Sequence, residues 1–169
     1  KMREGSLVLL DLGAAFGQYN ADISRTYPVN GVFNSLQKSL YEIVLSCNKA
    51  VIAFAAPGKT LVDLQAFATN FMAGKLLSEG FIKATEDISK VYYHNVSHHL
   101  GLDTHDPADR SLPLEPGNVI TVEPGLYFKD LGIGIRIEDD VLITIDGSEN
   151  LSKSIMKEVV DIEKAFLKA

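Results

Sequence analysis

The segment that runs from Val119 to Thr144, VITVEPGLYFKDLGIGIRIEDDVLIT, is the clearest indication of fold class in the chain. Two apolar stretches flank Glu123-Pro124-Gly125, and isoleucines then alternate with other residues from 133 to 137. Short apolar runs bounded by turn residues are typical of β-strands, and an alternation with a period of two indicates a strand with one buried face. The segment therefore predicts several consecutive strands.

Two amphipathic helices are predicted upstream of these strands. From Leu36 to Val51 apolar residues recur at steps of three and four, which is the helical period, and Asn34 or Ser35 can act as the N-cap. A second helix is expected from Leu61 to about Leu77, and a C-terminal helix from about Asp161 to Leu167.

The first thirty residues predict a β-hairpin. Leu7 to Leu12 is a short apolar run typical of a buried strand, and Ala21 to Val29 reads as an extended arm after a turn. The two arms carry Asp11 and Asp22. A hairpin, two helices, several strands and a final helix predict an α+β fold, with helices packed on one face of a mainly antiparallel sheet.

Composition excludes several classes of function. The 169 residues include 22 acidic and 16 basic side chains, and the net charge of −6 argues against a nucleic-acid partner. No apolar run reaches the roughly 18 residues of a membrane span. The single cysteine, Cys47, can form no intrachain disulfide, so we predict a reducing, cytoplasmic compartment. We expect one domain with no nucleic-acid and no membrane partner.

Four carboxylates occur in apolar β surroundings, at Asp11, Asp22, Glu123 and Glu138. A carboxylate in a buried strand costs several kcal/mol unless it is paired or bound to a metal ion. Asp11 taken alone is better explained as an Asp that makes hydrogen bonds at a strand end. Four such carboxylates in one chain instead indicate a shared site.

All four histidines lie within twelve positions, between His94 and His105. Neutral imidazole is a metal ligand, and histidine also carries protons near neutral pH. Four carboxylates and one imidazole make an oxygen-rich donor set, which favours Mn²⁺ or Co²⁺, with Zn²⁺ or Fe²⁺ as alternatives. Because these ligands are too many for one catalytic ion with an open position, we expect two divalent ions bridged by shared carboxylates.

Six stretches resemble, in the same order, the pita-bread metallopeptidases, the family that includes aminopeptidase P, prolidase and methionine aminopeptidase. The stretches are LDLG at 10–13, DISRTYP at 22–28, SHHLGLDTHD at 97–106, LEPG at 114–117, TVEPGLY at 121–127 and GIRIEDD at 134–140. The histidine-rich and Glu-Pro-Gly stretches are most similar to the C-terminal part of the catalytic domain of Xaa-Pro aminopeptidase (aminopeptidase P). The resemblance implies a pita-bread fold.

The resemblance also implies a role for each metal ligand. Asp11 is expected to chelate one ion through both oxygens, and Asp22 and Glu138 to bridge the two ions. His98 and Glu123 are expected to bind only the second ion. Manganese is the ion that we expect at both positions.

Further roles follow from the same resemblance. His94 and His105 are expected to line the substrate site, where they contact the scissile carbonyl or move protons. Glu123 is expected to carry a proton to the leaving nitrogen. Arg136 is expected to orient a carboxylate, although a surface strand arginine is the alternative. The chain departs from the family at Asn95, which follows His94 where relatives usually have glycine.

The implied reaction is removal of the N-terminal residue from peptides with proline in second position, by attack of a metal-bridged hydroxide. Cleavage of Xaa-Pro dipeptides, metal-free hydrolysis as in creatinase, and a binding homologue without activity are the alternatives. Residues 1–33 resemble the last strands of the first half of the family's catalytic domain, and 34–169 resemble its second half. We therefore expect a catalytic-domain fragment that is incomplete at its N-terminus, inactive or weakly active alone, and homo-oligomeric.

Overall fold

The computed structural model describes residues 1–167. Its strands are β1 Leu7–Leu12, β2 Ala15–Phe16, β3 Tyr19–Asn20, β4 Ile23–Pro28, β5 Val119–Val122, β6 Gly125–Phe128, β7 Ile133–Arg136, β8 Asp139–Ile143 and β9 Ser148–Asn150. Its helices are α1 Ser35–Phe54, α2 Leu61–Ser78 and α3 Val159–Phe166, with 3-10 turns at Thr85–Lys90 and Lys129–Leu131. Among the described helices, none has the length and apolar character needed to cross a membrane.

The predicted N-terminal hairpin is present, with β1 paired antiparallel to β4 and Asp11 opposite Ser24. Its tip folds into the smaller β2–β3 hairpin. The hydroxyl of Tyr19 donates to the Leu100 carbonyl at 3.0 Å, and the Asn20 side chain donates to the Leu102 carbonyl at 2.7 Å. These bonds hold the hairpin tip against the loop that carries the histidines.

Helix α1 begins at the predicted cap. The Asn34 side chain accepts from the backbone N–H of Gln37 at 2.8 Å, and the Gln37 side chain accepts from the N–H of Asn34 at 3.0 Å. This reciprocal pair satisfies two backbone donors that the first helical turn would otherwise leave unpaired. The buried face of α1, which includes Leu40, Tyr41 and Val44, lies in the main hydrophobic core with residues of α2 and of strands β5 to β8.

The C-terminal strands form two separate antiparallel ladders, β5–β8–β9 and β6–β7. Strand β9 was not predicted, because its three residues are polar and carry no strand pattern. The N-terminal hairpin joins these ladders through Thr26, whose hydroxyl donates to the Arg136 carbonyl and accepts from the Arg136 N–H, both at 3.1 Å. The Glu138 N–H also donates to the Ser24 carbonyl at 3.0 Å. The packing of β1 and β4 against β7 and β8, of which these bonds are a small part, brings Asp11 and Asp22 close to Glu123 and Glu138, which lie just after β5 and just before β8.

A buried ion cluster lies behind this junction. The carboxylate of Asp139, which is fully buried, accepts from Arg25 at 2.7 Å and from Ser152 at 2.6 Å, and it also contacts Lys157. Burial raises the pKa of Asp139, but the charges of Arg25 and Lys157 and the hydrogen bonds lower it by more, so that it stays below its ordinary value. The cluster ties β4 and β8 to the segment that precedes α3.

Candidate metal centre

A cavity of about 370 Å³ opens where the hairpin, the histidine loop and the C-terminal strands meet. Every site residue predicted from the sequence lines it. The lining residues are Asp11, Asp22, His94, Asn95, Ser97, His98, His105, Arg110, Glu123, Arg136 and Glu138. Side chains that are up to 127 positions apart in the chain are therefore brought together around one space.

The potential ligand atoms in this cavity form overlapping groups, each with its atoms within 4.8 Å of one another. The groups are Asp11, Asp22 and Glu138; His98, Glu123 and Glu138; and Asp22, His98 and His105. Glu138 belongs to the first two groups and Asp22 to the first and third. Membership in two groups is what a carboxylate shared between two ions requires.

The orientation of His98 suits a metal ligand. Its Nδ1 lies 3.0 Å from the His99 carbonyl oxygen, and because a carbonyl can only accept, Nδ1 carries the proton. Its Nε2 faces the cavity, 3.6 Å from Asp22 and 3.5 Å from Glu123. A ligating histidine usually donates its other ring N–H to a carbonyl in this way, which fixes both ring orientation and tautomer.

Two carboxylates of the cavity, Glu123 and Glu138, are mostly buried without enough positive charge beside them to keep their pKa values at the ordinary level. Burial, with a further contribution from the charge of Glu123, raises the pKa of Glu138 to about 8. Burial likewise raises the pKa of Glu123 to about 7. Burial lowers the pKa of His98, but the hydrogen bonds and carboxylates around it raise that pKa by more. Divalent cations would supply the missing positive charge, so the donor set fits them.

Arg136 lies at the edge of the carboxylate cluster and is mostly buried, with 18% of its side chain exposed. Its Nη2 contacts Asp11, and its Nε donates to the Ser24 hydroxyl at 2.8 Å. The Nε atom is also 3.8 Å from the Glu138 carboxylate. The guanidinium is thus placed to orient carboxylates and is not a solvated surface side chain.

His94 pairs with an aromatic hydroxyl. Its Nδ1 donates to the Asn95 carbonyl at 2.8 Å, which leaves Nε2 to accept from the Tyr127 hydroxyl at 2.9 Å. Burial lowers the pKa of His94, which favours neutral imidazole at pH 7. Gly125 makes this pairing possible, because a Cβ there would lie 2.7 Å from the Tyr127 hydroxyl oxygen and 2.9 Å from His94 Nε2. His105 is more exposed and packs its ring 4.1 Å from that of His98.

Two residues near the cavity were not predicted. Asp140 accepts from the backbone N–H of Asp22, with both oxygens 3.3 Å away. The position of Asp140 in an apolar strand is the signal that singled out the other carboxylates, and it was available in the sequence. Arg110 lines the cavity and donates to the Ser97 carbonyl at 3.1 Å. Nothing in the local sequence distinguishes Arg110 from a surface arginine.

Comparison with known proteins gives a consistent result. The profile of metallopeptidase family M24 matches residues 1–145. The rat Xaa-Pro aminopeptidase 3 (Rattus norvegicus) is 43% identical over 96% of the chain. A solved structure from Bacillus anthracis, described as a candidate aminopeptidase P, is 50% identical over 99% of the chain with a TM-score of 0.97. An aminopeptidase P variant from Escherichia coli is 38% identical over 99% of the chain with a TM-score of 0.94.

These similarities confirm the pita-bread fold that the sequence predicted. The chain spans 35% of the rat protein, 40% of the Bacillus anthracis chain and 42% of the Escherichia coli chain. It therefore covers less than half the length of the relatives that it matches.

Proposed function

Because the chain belongs to metallopeptidase family M24, we propose that it carries the metal centre of an aminopeptidase that removes the N-terminal residue from peptides with proline in second position. The observation that supports this most strongly is the meeting of four carboxylates and His98 around one cavity. The similarity over nearly the whole chain to Xaa-Pro aminopeptidases supports the choice of substrate.

In this proposal two divalent ions, Mn²⁺ at both positions, are held by the five predicted ligands. Asp11 would hold the first ion, His98 and Glu123 the second, and Asp22 and Glu138 would be shared between them. When bound, such ions supply Lewis acidity toward a peptide carbonyl and lower the pKa of a coordinated water. The burial of Glu138 and the fixed tautomer of His98 support these assignments.

The chain's own residues handle the protons. Glu123 lies beside the other ligands, with its carboxylate 3.5 Å from His98 and 3.8 Å from His94, so it is positioned to carry a proton to the leaving nitrogen. His94 lies 3.8 Å from Glu123 and is held by Tyr127 and Asn95, and these contacts support a role on the substrate side of the cluster. We assign His94 and His105 to the substrate and not to the ions.

The test uses the full-length protein, because the chain alone is expected to be inactive or weakly active. It compares an Xaa-Pro-Yaa tripeptide with an Xaa-Pro dipeptide, each with and without Mn²⁺. We expect Mn²⁺-dependent release of the first residue from the tripeptide and little cleavage of the dipeptide. Faster cleavage of the dipeptide would instead indicate a prolidase, and turnover that is unchanged after chelation would exclude a metal mechanism.

A matched pair of variants isolates the site. Glu123→Gln should abolish tripeptide cleavage, whereas Glu115→Gln, on the exposed rim of a different cavity, should leave it unchanged. Equal activity of the two variants would contradict the role of Glu123. Absence of cleavage of either peptide at saturating Mn²⁺ would support a binding homologue.

A further inference from the structure

Ser24 lies next to the carboxylate cluster, where its hydroxyl contacts Glu138 and Arg136, and it is not one of the predicted metal ligands. It is fully buried in β4, opposite Asp11 in the β1–β4 ladder. It follows Asp22 by two positions, and residues two apart in an extended chain point to the same face. Ser24 thus faces the same space as the carboxylates that come from both arms of the hairpin.

The direction of the two hydrogen bonds made by Ser24 is determined by chemistry. The Nε of Arg136 lies 2.8 Å from the Ser24 hydroxyl oxygen, and a guanidinium can only donate. The hydroxyl oxygen is therefore the acceptor in that bond. When Glu138 is ionised, as it must be to bind a metal ion, it can only accept, so the single hydrogen of Ser24 points to its Oε2, 2.6 Å away. The order of donation runs from Arg136 through Ser24 to Glu138.

The Ser24 hydroxyl contacts Glu138, whose carboxylate belongs to two of the potential ligand groups. Arg136 Nε itself is 3.8 Å from Glu138, too far for a direct hydrogen bond. Ser24 closes that gap, and the backbone N–H of Glu138 is also bound to the Ser24 carbonyl at 3.0 Å. Two contacts from one residue therefore fix both the main chain and the side chain of Glu138.

We propose that Ser24 is a positioning residue that orients Glu138 so that its carboxylate is shared by two metal ions. This inference rests on the proposed function. Removing a residue that donates a hydrogen bond to a metal ligand typically lowers metal affinity or activity by about 10–100-fold. Ser24→Ala removes the donor to Glu138 and also leaves Arg136 Nε without its acceptor.

The strand offers a matched control at Thr26. Its hydroxyl is also buried and also contacts Arg136, but only through the backbone N–H and carbonyl. Thr26→Val therefore removes a buried hydroxyl from the same strand without changing any contact to a carboxylate. Ser24→Thr keeps the hydroxyl and serves as the conservative variant.

The experiment is calorimetric titration of Mn²⁺ into the metal-free protein, with the unfolding temperature of each variant measured alongside. We expect Ser24→Ala to weaken Mn²⁺ binding about 10–100-fold, Ser24→Thr to bind nearly as the wild type does, and Thr26→Val to keep its affinity even if it unfolds at a lower temperature. Ser24→Cys, similar in size with a weak donor, should fall between Ser24→Ala and the wild type.

Two results would overturn the inference. One is a Ser24→Ala affinity within threefold of the wild type, and the other is an equal loss in Thr26→Val. If Ser24→Ala does not fold, a Mn²⁺ affinity of Ser24→Cys equal to that of the wild type would also overturn the inference. A wild-type protein that binds no Mn²⁺ would instead contradict the proposed function, so the two failures can be distinguished.

Discussion

Without metal, Glu138 is expected to hold a proton at neutral pH and Glu123 to be about half protonated, because burial raises their pKa values to about 8 and about 7. Divalent ions must displace those protons in order to bind. The affinity for metal should therefore rise as the pH increases toward 8.

This proton binding has a measurable effect on stability. The folded protein binds both protons more tightly than the unfolded chain, in which the pKa of glutamate is near 4.5. The stabilisation is fully present below that pH and is lost as the pH rises through about 7 and 8. With chelator present, the melting temperature should fall between pH 5 and pH 8.5, and by less in Glu138→Gln. Parallel curves for wild type and variant would contradict the raised pKa.

His94 provides a separate test of the division between substrate and metal residues. His94→Ala should lower kcat by about 10²–10⁴-fold, the usual effect of losing a proton-transfer group, while the Mn²⁺ content stays the same. His99→Ala is the control, because His99 comes from the same segment but lines a different cavity. Loss of Mn²⁺ from His94→Ala would show that this residue is a ligand.

His105 is predicted to behave as His94 does, and its variant is the more demanding test. The potential ligand atoms of His105, Asp22 and His98 lie within 4.8 Å of one another, so these three residues could hold one ion. The resemblance instead assigns His105 to the substrate side. His105→Ala should keep its Mn²⁺ and lose kcat by about 10²–10⁴-fold. Partial loss of Mn²⁺ from His105→Ala would show that His105 is a metal ligand.

The helices and most strands were predictable from local sequence, and the reason is physical. The cap at Asn34 and the alternation from Ile133 to Ile137 are patterns set by neighbours a few positions away. The bonds of the hairpin tip to Leu100 and Leu102 join residues about 81 positions apart, and no local pattern reports them. Arg110 was not predicted as a cavity residue because its position there depends on the folded loop and not on its sequence neighbours.

The junction between β4 and β8 should depend on its buried ions. Asp139→Asn leaves Arg25 and Lys157 without their counter-charge, and breaking a buried pair in this way costs about 3–5 kcal/mol of unfolding free energy. Glu149→Gln is the control, since its pair with Lys153 is exposed, and it should change stability by less than about 0.5 kcal/mol. Denaturant titration measures both. If Asp139→Asn lowered the unfolding free energy by less than about 1 kcal/mol, the contribution of this buried ion cluster to stability would be contradicted.

The whole molecule brings distant residues together because the N-terminal hairpin docks on the C-terminal strands. The family and its fold could be inferred from six short stretches whose order along the chain is that of the relatives. The contacts of Ser24 could not be inferred, because they depend on how β4 and β7 are placed in three dimensions. The homo-oligomer, the reducing compartment and the boundary at residue 33 stay predictions.

The number of Mn²⁺ ions bound per chain tests the shared-carboxylate centre most directly. Equilibrium dialysis of the metal-free protein at pH 8 should give two ions for the wild type, none for Glu138→Gln, and about one for His98→Ala, because in the proposed ligand set Glu138 is shared between the ions whereas His98 binds only one. Two ions retained by Glu138→Gln, or a wild type that saturates at one, would contradict the account.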